Sequence, residues 1–348
     1  MINKQALSRR LRATLAAALG LGLMAAQGIE AASASTLEDV RGRDKLICGI
    51  SEGLAGFSDK DEAGNWYGFD VDFCRAVAAA VLGDPQKVDY VQLSANDRFK
   101  ALTDGKIDLL SRNSTWTMSR DLDLDLDFAG IAYYDGQGFL AHAVDGMTSA
   151  LELNGARICV VSGTTTEENA AEYFADNGMD VTFLRFADRG QARKAYASGE
   201  CDVYTADSSA LAAERSLLDV PDDHVILSEV ISKEPLGPVT REGDPQWTEL
   251  VRWVLYGLIN AEEAELTAAS VDEKTGDPAK RHKAMQFGAP GVKEFGLSDD
   301  WLIVVLNAVG NYSDIFERNL GEQTPLALRR GVNALWTRGG ILYAPPMH

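Results

Sequence analysis

Short apolar runs and helical stripes alternate along the first half of the chain. Residues 45–50 (KLICGI) form an apolar run of strand length, and the Gly-containing loop 51–57 (SEGLAGF) follows it. From Asp70 onward Val71, Cys74, Val77, Ala78, Val81 and Leu82 keep helical spacing until Gly83 and Pro85 end the pattern. Residues 88–93 then predict a second strand, 97–105 a short helix closed by Gly105, and Ile107, Leu109 and Leu110 a third, buried strand. Strands separated by helices of this length predict parallel βαβ units, since hairpin-built sandwiches and barrels lack such spacers.

The pattern restarts in the middle of the chain. Residues 156–162 (ARICVVS) predict a strand, and Gly163, Thr164, Thr165, Thr166, Glu167 and Glu168 open a helix with hydroxyls and carboxylates at its N-terminus. Further strands are expected at 181–186 and 201–205, the latter ending at Ala206 and Asp207, with a helix at 191–198 between them. A long amphipathic helix is expected at 247–264, and two more helical stretches follow Asp300. Two successive α/β units imply two lobes whose strand ends face one cleft.

The densest chemistry follows the strand at 107–110. Ser111, Arg112, Asn113, Ser114, Thr115, Trp116 and Thr117, with Ser119 and Arg120 close behind, leave the carboxyl end of that strand. Hydroxyls, an amide, an indole and a guanidinium at such a place suit a crevice for a small zwitterion or acid. Asp121, Asp123, Asp125 and Asp127 alternate with leucines, which predicts a half-buried edge with a wet face in preference to a calcium loop.

The first 34 residues change where such a site would work. Lys4, Arg9, Arg10 and Arg12 precede an Ala/Leu run, and Ala32, Ser33 and Ala34 supply small residues at cleavage-type positions, which together predict a secretory signal peptide cut near Ala34. Arg9-Arg10 is a twin-arginine pair, and the absence of a cysteine after the cut argues against a lipid anchor. Removing this segment, with its net charge of +3, leaves the mature chain at −22 from the −19 of all 348 residues. That acidity excludes nucleic acid and anionic membranes as partners. Roughly 314 mature residues exceed the usual single core, in keeping with two lobes. Four cysteines, Cys48, Cys74, Cys159 and Cys201, form an even set in an exported chain and favour disulfides. His142, His224, His282 and His348 show no metal-ligand spacing, so no metal is expected.

Five ordered blocks, GLAGFSDKDEAGNWYGFDVDFCRAVAAAV, FKALTDGKIDLLSRNSTWTMSR, LDFAGIAYYDGQGF, CVVSGTTTEENAAEYF and GECDVYTADSSAL, together with the tail NYSDIFERNLGEQTPLALRRGVNALWTRGGILYAPP, span essentially the whole mature chain. They resemble the periplasmic solute-binding proteins of ABC importers for polar amino acids (family 3), above all the general L-amino-acid-binding subgroup. The resemblance implies an α/β, two-lobed periplasmic-binding-protein fold of type II with two hinge crossings. Lobe 1 would comprise 35–136 and 238–348, including a C-terminal helical extension, and lobe 2 would comprise 137–237, with crossings near 135–138 and 236–240. Gly136 and Gly138 suit a crossing that must change backbone angles. The implied function is a monomeric receptor that binds L-amino acids with broad side-chain tolerance and delivers them to an inner-membrane ABC permease, with no cofactor and no catalysis. A periplasmic enzyme on the same fold, such as a cyclohexadienyl- or arogenate-type dehydratase, is the alternative.

The resemblance also implies residue roles. Arg120 matches the arginine that grips the ligand α-carboxylate, Thr165 the residue whose N–H and hydroxyl take the same group, and Asp207 the acid that pairs with the α-ammonium. Asn113 and Thr115 match the polar positions after the first-lobe strand, while Leu54 and Ala95 stand where lysine/arginine-binding relatives place stacking aromatics. Each residue has a plainer reading: Arg120 as a surface partner of the acidic run, Asp207 as a helix cap, Thr164 and Thr165 as an ordinary cap, and Glu52 as a solvated loop acid. Trp116, Tyr133 and Tyr134 could line the side-chain pocket or belong to the core. Residue types alone permit all three disulfide connectivities. A hinge between lobes favours Cys48 with Cys74 and Cys159 with Cys201, because a bridge between lobes would obstruct closure.

Overall fold

The computed structural model describes residues 35–276 and 293–347. The expected signal segment, His282 and His348 lie outside the described residues. Two five-stranded sheets organise the chain. The first runs, edge to edge, Val88–Leu93, Leu46–Ser51, Leu109–Leu110, Val239–Arg241 and Leu126–Phe128. The second runs Thr182–Phe186, Arg157–Val161, Val203–Asp207, Gln137–His142 and His224–Ile226.

In each sheet the βαβ strands pair in parallel, as the spacing predicts. The remaining strands are antiparallel, which the spacing did not foretell. Topology explains the difference, because Gln137–His142 enters the second sheet, and Val239–Arg241 re-enters the first, directly from the crossing between them. The crossing is a two-stranded antiparallel ribbon of Tyr133–Asp135 with Glu234–Leu236. Gly136 and Gly138 do not adopt unusual backbone angles there. Instead, a Cβ on Gly136 would lie 2.3 Å from Val230 Cγ1, so this position needs glycine for close approach.

The helix Phe69–Leu82 lies in the first sheet's core with Val71, Val77 and Ala78 fully buried, and Gly83 caps it in the left-handed conformation. Cys48 on the neighbouring strand is bonded to Cys74 of this helix, with a Cα separation of 6.2 Å. In the second unit Cys159 is bonded to Cys201 across 5.5 Å. Both bridges stay within one sheet and its helices, which leaves the ribbon as the covalent route between lobes.

The acidic alternation at 121–128 divides between two structures. Thr117 accepts a hydrogen bond from the Arg120 N–H and starts a short helix, Met118–Asp123, which leaves Leu122 and Leu124 exposed. Only Leu126–Phe128 forms the half-buried edge strand that the pattern predicts. A hydroxyl cap thus overrides the period-two pattern locally.

The C-terminal segment is fastened to lobe 1. The helix Trp301–Val309 packs along Phe69–Leu82, and Tyr312–Asn319 packs against Pro245–Glu263. Asp72 receives hydrogen bonds from Arg318 and Asn319, and Arg330 forms a buried ion pair with Glu262 at 2.9 Å. Beyond them, Asn333 accepts from the Tyr134 N–H at 2.7 Å and donates to its carbonyl at 2.9 Å. The extension therefore pairs with the outer edge of the crossing ribbon.

Candidate functional site

The residues leaving Leu109–Leu110 turn into the space between the two sheets. Arg112 is 3% exposed and donates from Nε to the Leu93 carbonyl at 3.0 Å. Thr115 bridges to Leu236 of the ribbon and donates from its hydroxyl to Glu234 at 2.5 Å. Arg120 reaches back over the Phe99 ring, its Cζ 5.2 Å from the centroid, and donates from Nη1 to the Thr115 carbonyl at 2.9 Å. These contacts fix the guanidinium without neutralising it. Among the described residues Arg120 has no ion-paired carboxylate, which disfavours its plainer reading as a partner of Asp121 to Asp127.

The second unit supplies the facing wall. Its strand Arg157–Val161 ends at Ser162 and Gly163, and the helix Thr165–Asp176 begins there with its first N–H groups toward the cleft. Gly163 has φ +74°, and a Cβ at that position would lie 2.0 Å from Asn96 Oδ1 of lobe 1. A side chain here would have to displace Asn96, and the positive φ itself favours glycine. The Thr165 hydroxyl donates to Glu234 at 2.9 Å, so Glu234 is held by Thr115 from lobe 1 and by Thr165 and Asn169 from lobe 2.

Asp207 ends a fully buried strand and precedes the helix Ser208–Ser216, yet its side chain makes no capping hydrogen bond. Asp135 does that work, accepting from the Ser209 N–H and hydroxyl. Burial, together with Asp135 and Glu234, raises the Asp207 pKa well above the usual carboxylate range. A carboxyl in that state gains from a cation placed beside it.

Arg120, Asn113, Thr115, Thr164, Thr165 and Asp207 therefore meet at one narrow end of the cleft. Glu52 lines an adjoining outer chamber of about 520 Å³, with Ser51, Gly53, Ala55 and Ala95. Two expected site residues are placed elsewhere. Leu54 is 1% exposed in the lobe 1 core, because it closes a tight turn with Ser58 that directs its apolar side chain inward and leaves Ala55 on the cleft wall. Trp116 stacks on Phe128 at 5.4 Å and packs, half-buried, against the hydrophobic cluster under the first sheet. Tyr133 is likewise core, stacked on Phe316.

Arg112, from the polar cluster after 107–110, lines the site too, and three further residues enter it that the sequence patterns did not single out: Arg98, Arg189 and Glu234. Arg98 and Arg189 are each the first residue of a helix, following Asp97 and Asp188. A cation at a helix N-terminus opposes the macrodipole, and that local conflict is a signal the sequence does carry. Burial first, then Arg189, lowers the Arg112 pKa to about 9. Behind it Asp70 accepts from the Asn113 N–H at 3.2 Å, and burial pushes this carboxyl up to about 7. Away from the cleft, strand pairing sets His142 opposite His224, but no cluster of metal-ligating side chains forms among the described residues.

Residues 46–269 match the bacterial extracellular solute-binding proteins, family 3. The chain belongs to that family. It is 50% identical over 336 residues to the general L-amino acid-binding periplasmic protein AapJ of Rhizobium johnstonii, covering 96% of this chain and 98% of that protein. It is 51% identical over 319 residues to the glutamate/glutamine/aspartate/asparagine-binding protein BztA of Rhodobacter capsulatus, covering 91% and 94%. A solved ABC-transporter periplasmic binding protein from Brucella ovis with glutathione bound superposes with a TM-score of 0.87 at 48% identity, over 90% of this chain and all of that one. The type II periplasmic-binding-protein fold follows from these matches. So does a place among ABC-transporter binding proteins, and the enzyme alternative is not favoured. No described helix is long and apolar enough to cross a membrane.

Proposed function

We propose that this chain is the periplasmic receptor of an ABC importer, that it binds L-amino acids by their α-carboxylate and α-ammonium groups, and that it tolerates varied side chains. The observation that carries this reading is the convergence, from two lobes on one cleft, of Arg120 and the helix N-terminus at Thr165 with Asp207. A planar guanidinium can engage both carboxylate oxygens, the helix end favours the same anion, and Asp207 supplies the counter-charge for an ammonium. The outer chamber, lined by Ser51, Gly53, Ala55 and Ala95, leaves room for side chains of different size.

On this reading, residues 35–136 with 238–348 form lobe 1, 137–237 form lobe 2, and the ribbon between them is the hinge. Ligand contacts both lobes and so binds the closed form better, which shifts the population toward the form a permease would recognise. The receptor acts as a monomer, and export removes residues 1–34. Intact mass of secreted protein tests the last point, with Ser35 expected as the first residue.

A thermal-shift screen of the standard L-amino acids tests the function itself, because saturating ligand stabilises the folded state by RT ln(1 + [L]/Kd), about 2.7 kcal/mol at a hundredfold excess over Kd. Several L-amino acids should raise Tm, while their deaminated analogues should not. Turnover of an arogenate-like substrate without any such stabilisation would replace the receptor with the enzyme.

A further inference from the structure

The crossing ribbon, Tyr133–Asp135 with Glu234–Leu236, is tied to a different lobe at each end. Toward lobe 1, the Trp116 N–H donates to the Pro235 carbonyl at 2.8 Å and the Gly237 N–H to the Ser114 carbonyl at 3.1 Å. Toward lobe 2, Asp135 accepts from the Ser209 N–H and hydroxyl, and the Gly136 carbonyl accepts from the Ser208 N–H at 2.8 Å. Glu234 is held by Thr165 and Asn169 of lobe 2 and, across the cleft, by Thr115. The change of lobe therefore falls within one residue step on each strand, from Tyr134 to Asp135 and from Pro235 to Glu234.

The C-terminal extension ties down three consecutive residues just before that step. Tyr312 donates from its hydroxyl to the Ala132 carbonyl at 2.7 Å, Phe316 stacks on Tyr133 with ring planes 5° apart, and Asn333 takes both the N–H and the carbonyl of Tyr134. Asn333 is 3% exposed, so water does not compete freely for its bonds. Arg330 sets it in place, donating from Nε to the Asn333 carbonyl at 2.9 Å while its Nη2 pairs with Glu262 and its guanidinium lies over the Tyr312 and Phe316 rings. These four residues lie outside 46–269, the stretch that matches the family. A two-stranded ribbon is marginal alone, and here its outer edge is reinforced as far as Tyr134. The reinforcement ends where the change of lobe begins.

We infer that Asn333 and Tyr312, remote from the cleft, are positioning residues for ligand capture: they make the ribbon move as part of lobe 1 and confine hinge bending to the single step after Tyr134. This deepens the proposed amino-acid receptor and rests on it. In the arrangement seen here the lobes meet, with the Thr115 and Thr165 hydroxyls 3.4 Å apart and Arg189 donating to the Ser51 hydroxyl at 3.4 Å. Those contacts fix the closed form with or without the extension. An open form lacks them, and without Asn333 its ribbon is free to bend at every residue from Ala132 to Asp135. Losing the tie thus adds conformations to the open form alone, lowers the closed population, and weakens every ligand by one common factor. A residue that touched ligand would instead change the ranking among ligands.

The test is calorimetric titration of the purified mature protein with L-alanine, L-leucine, L-glutamine and L-glutamate, which share α-groups and differ in side chain. Each one that binds the parent should bind Asn333→Ala about fivefold more weakly, by the same factor for all. Tyr312→Phe keeps the ring and removes only the bond to Ala132, so it should weaken all of them about twofold. In small-angle scattering, ligand-free Asn333→Ala should show a larger radius of gyration than the ligand-free parent, and the two ligand-saturated proteins should coincide. Unchanged affinity in both variants, each shown folded by circular dichroism, overturns the inference and leaves the receptor intact. So does an Asn333→Ala effect that differs by more than about threefold between ligands, since that is the mark of a disturbed pocket. Binding of none of the four by the parent overturns the receptor reading itself.

Discussion

The two walls of the cleft carry their charge in different ways. On the lobe 1 wall the charge sits on long side chains, Arg98, Arg112 and Arg120, steadied by backbone carbonyls and the Phe99 ring. On the lobe 2 wall it sits mainly on a helix N-terminus and on Asp207, both fixed by backbone, with Arg189 as a long cation at the narrow end. The supports differ in the same sense. Lobe 1 is backed by the helices Phe69–Leu82, Pro245–Glu263 and Trp301–Val309, whereas the lobe 2 helices are shorter than the first two of these, with Phe139, Phe174, Ile158 and Val203 packed on one face of its sheet and Tyr196, Tyr204 and Leu211 on the other. Flexible side chains are thus set on the heavily braced wall and backbone donors on the lighter one. A side-chain cation needs a rigid bed to stay aimed, while a helix end is aimed by its own hydrogen bonds.

Arg120→Ala would break this comparison most directly. Removing one partner of a buried charge pair costs roughly 2 to 5 kcal/mol, about 30- to several-thousand-fold in affinity. Arg120→Lys should recover only part of the loss, because a point charge lacks the two-pronged geometry. Calorimetry showing equal affinity in the parent and in a folded Ala variant would mean that the lobe 2 helix end alone holds the carboxylate.

Asp70 tests the bed beneath the lobe 1 wall. Burial raises its pKa from the ordinary 3.8 to about 7, so the folded state holds the proton more tightly than the unfolded chain. Its contribution to stability is therefore full below about pH 4 and is lost as pH rises toward about 7. The shift of about three units sets an upper scale of roughly 4 kcal/mol. Relative to the parent, Asp70→Asn should gain stability in chemical denaturation as pH rises from 4 to 8. A difference that stays flat with pH would show that Asp70 titrates normally.

Glu234 stands between the walls, and Glu234→Gln should loosen their meeting. One carboxylate oxygen takes Thr115 and Thr165, the other Asn169 and Ser232. An amide keeps a single acceptor oxygen, so the hydroxyls facing its NH2 must turn from donors to acceptors and every bond loses its charge assistance. That difference is about 1 to 2 kcal/mol, or roughly 5- to 30-fold in affinity, and should appear in the dissociation rate. Stopped-flow dissociation at the parent rate would deny Glu234 its part in holding the lobes together.

The sequence made the braced parts legible and the meeting of the walls less so. Val71 to Leu82 repeat at helical spacing and end at Gly83, and that helix is present with that cap. Thr164 and Thr165 mark the helix start in lobe 2 because hydroxyls followed by carboxylates favour an N-terminus. Periodicity could not show that Glu234 is held by residues 119 and 69 positions away, or that Asn96 abuts Gly163. Nor could it separate the leucines of 121–128, where a Thr117 cap decides which are buried. Leu54 failed for a related reason, since alignment to a family position fixes a place in the chain but not the direction of a side chain in a tight turn.

The smallest effect concerns the brace at the crossing itself. One edge of Tyr133–Asp135 pairs with Glu234–Leu236, and the other is occupied by the Asn333 side chain, which takes both the N–H and the carbonyl of Tyr134. Asn333→Ala removes both bonds and leaves two backbone groups to find water, a loss of about 1 kcal/mol or somewhat more. For a chain of this size that lowers Tm by roughly 2 to 4 °C. The informative measurement is where protection is lost. Hydrogen exchange should quicken at Tyr134 and its ribbon neighbours and stay unchanged along Val203–Asp207, because Asn333 ties the lobe 1 extension to the ribbon and not to that strand. Equal quickening in both places would show that the two lobes open as one cooperative unit, and the contrast between a braced wall and a light one would then describe packing without describing motion.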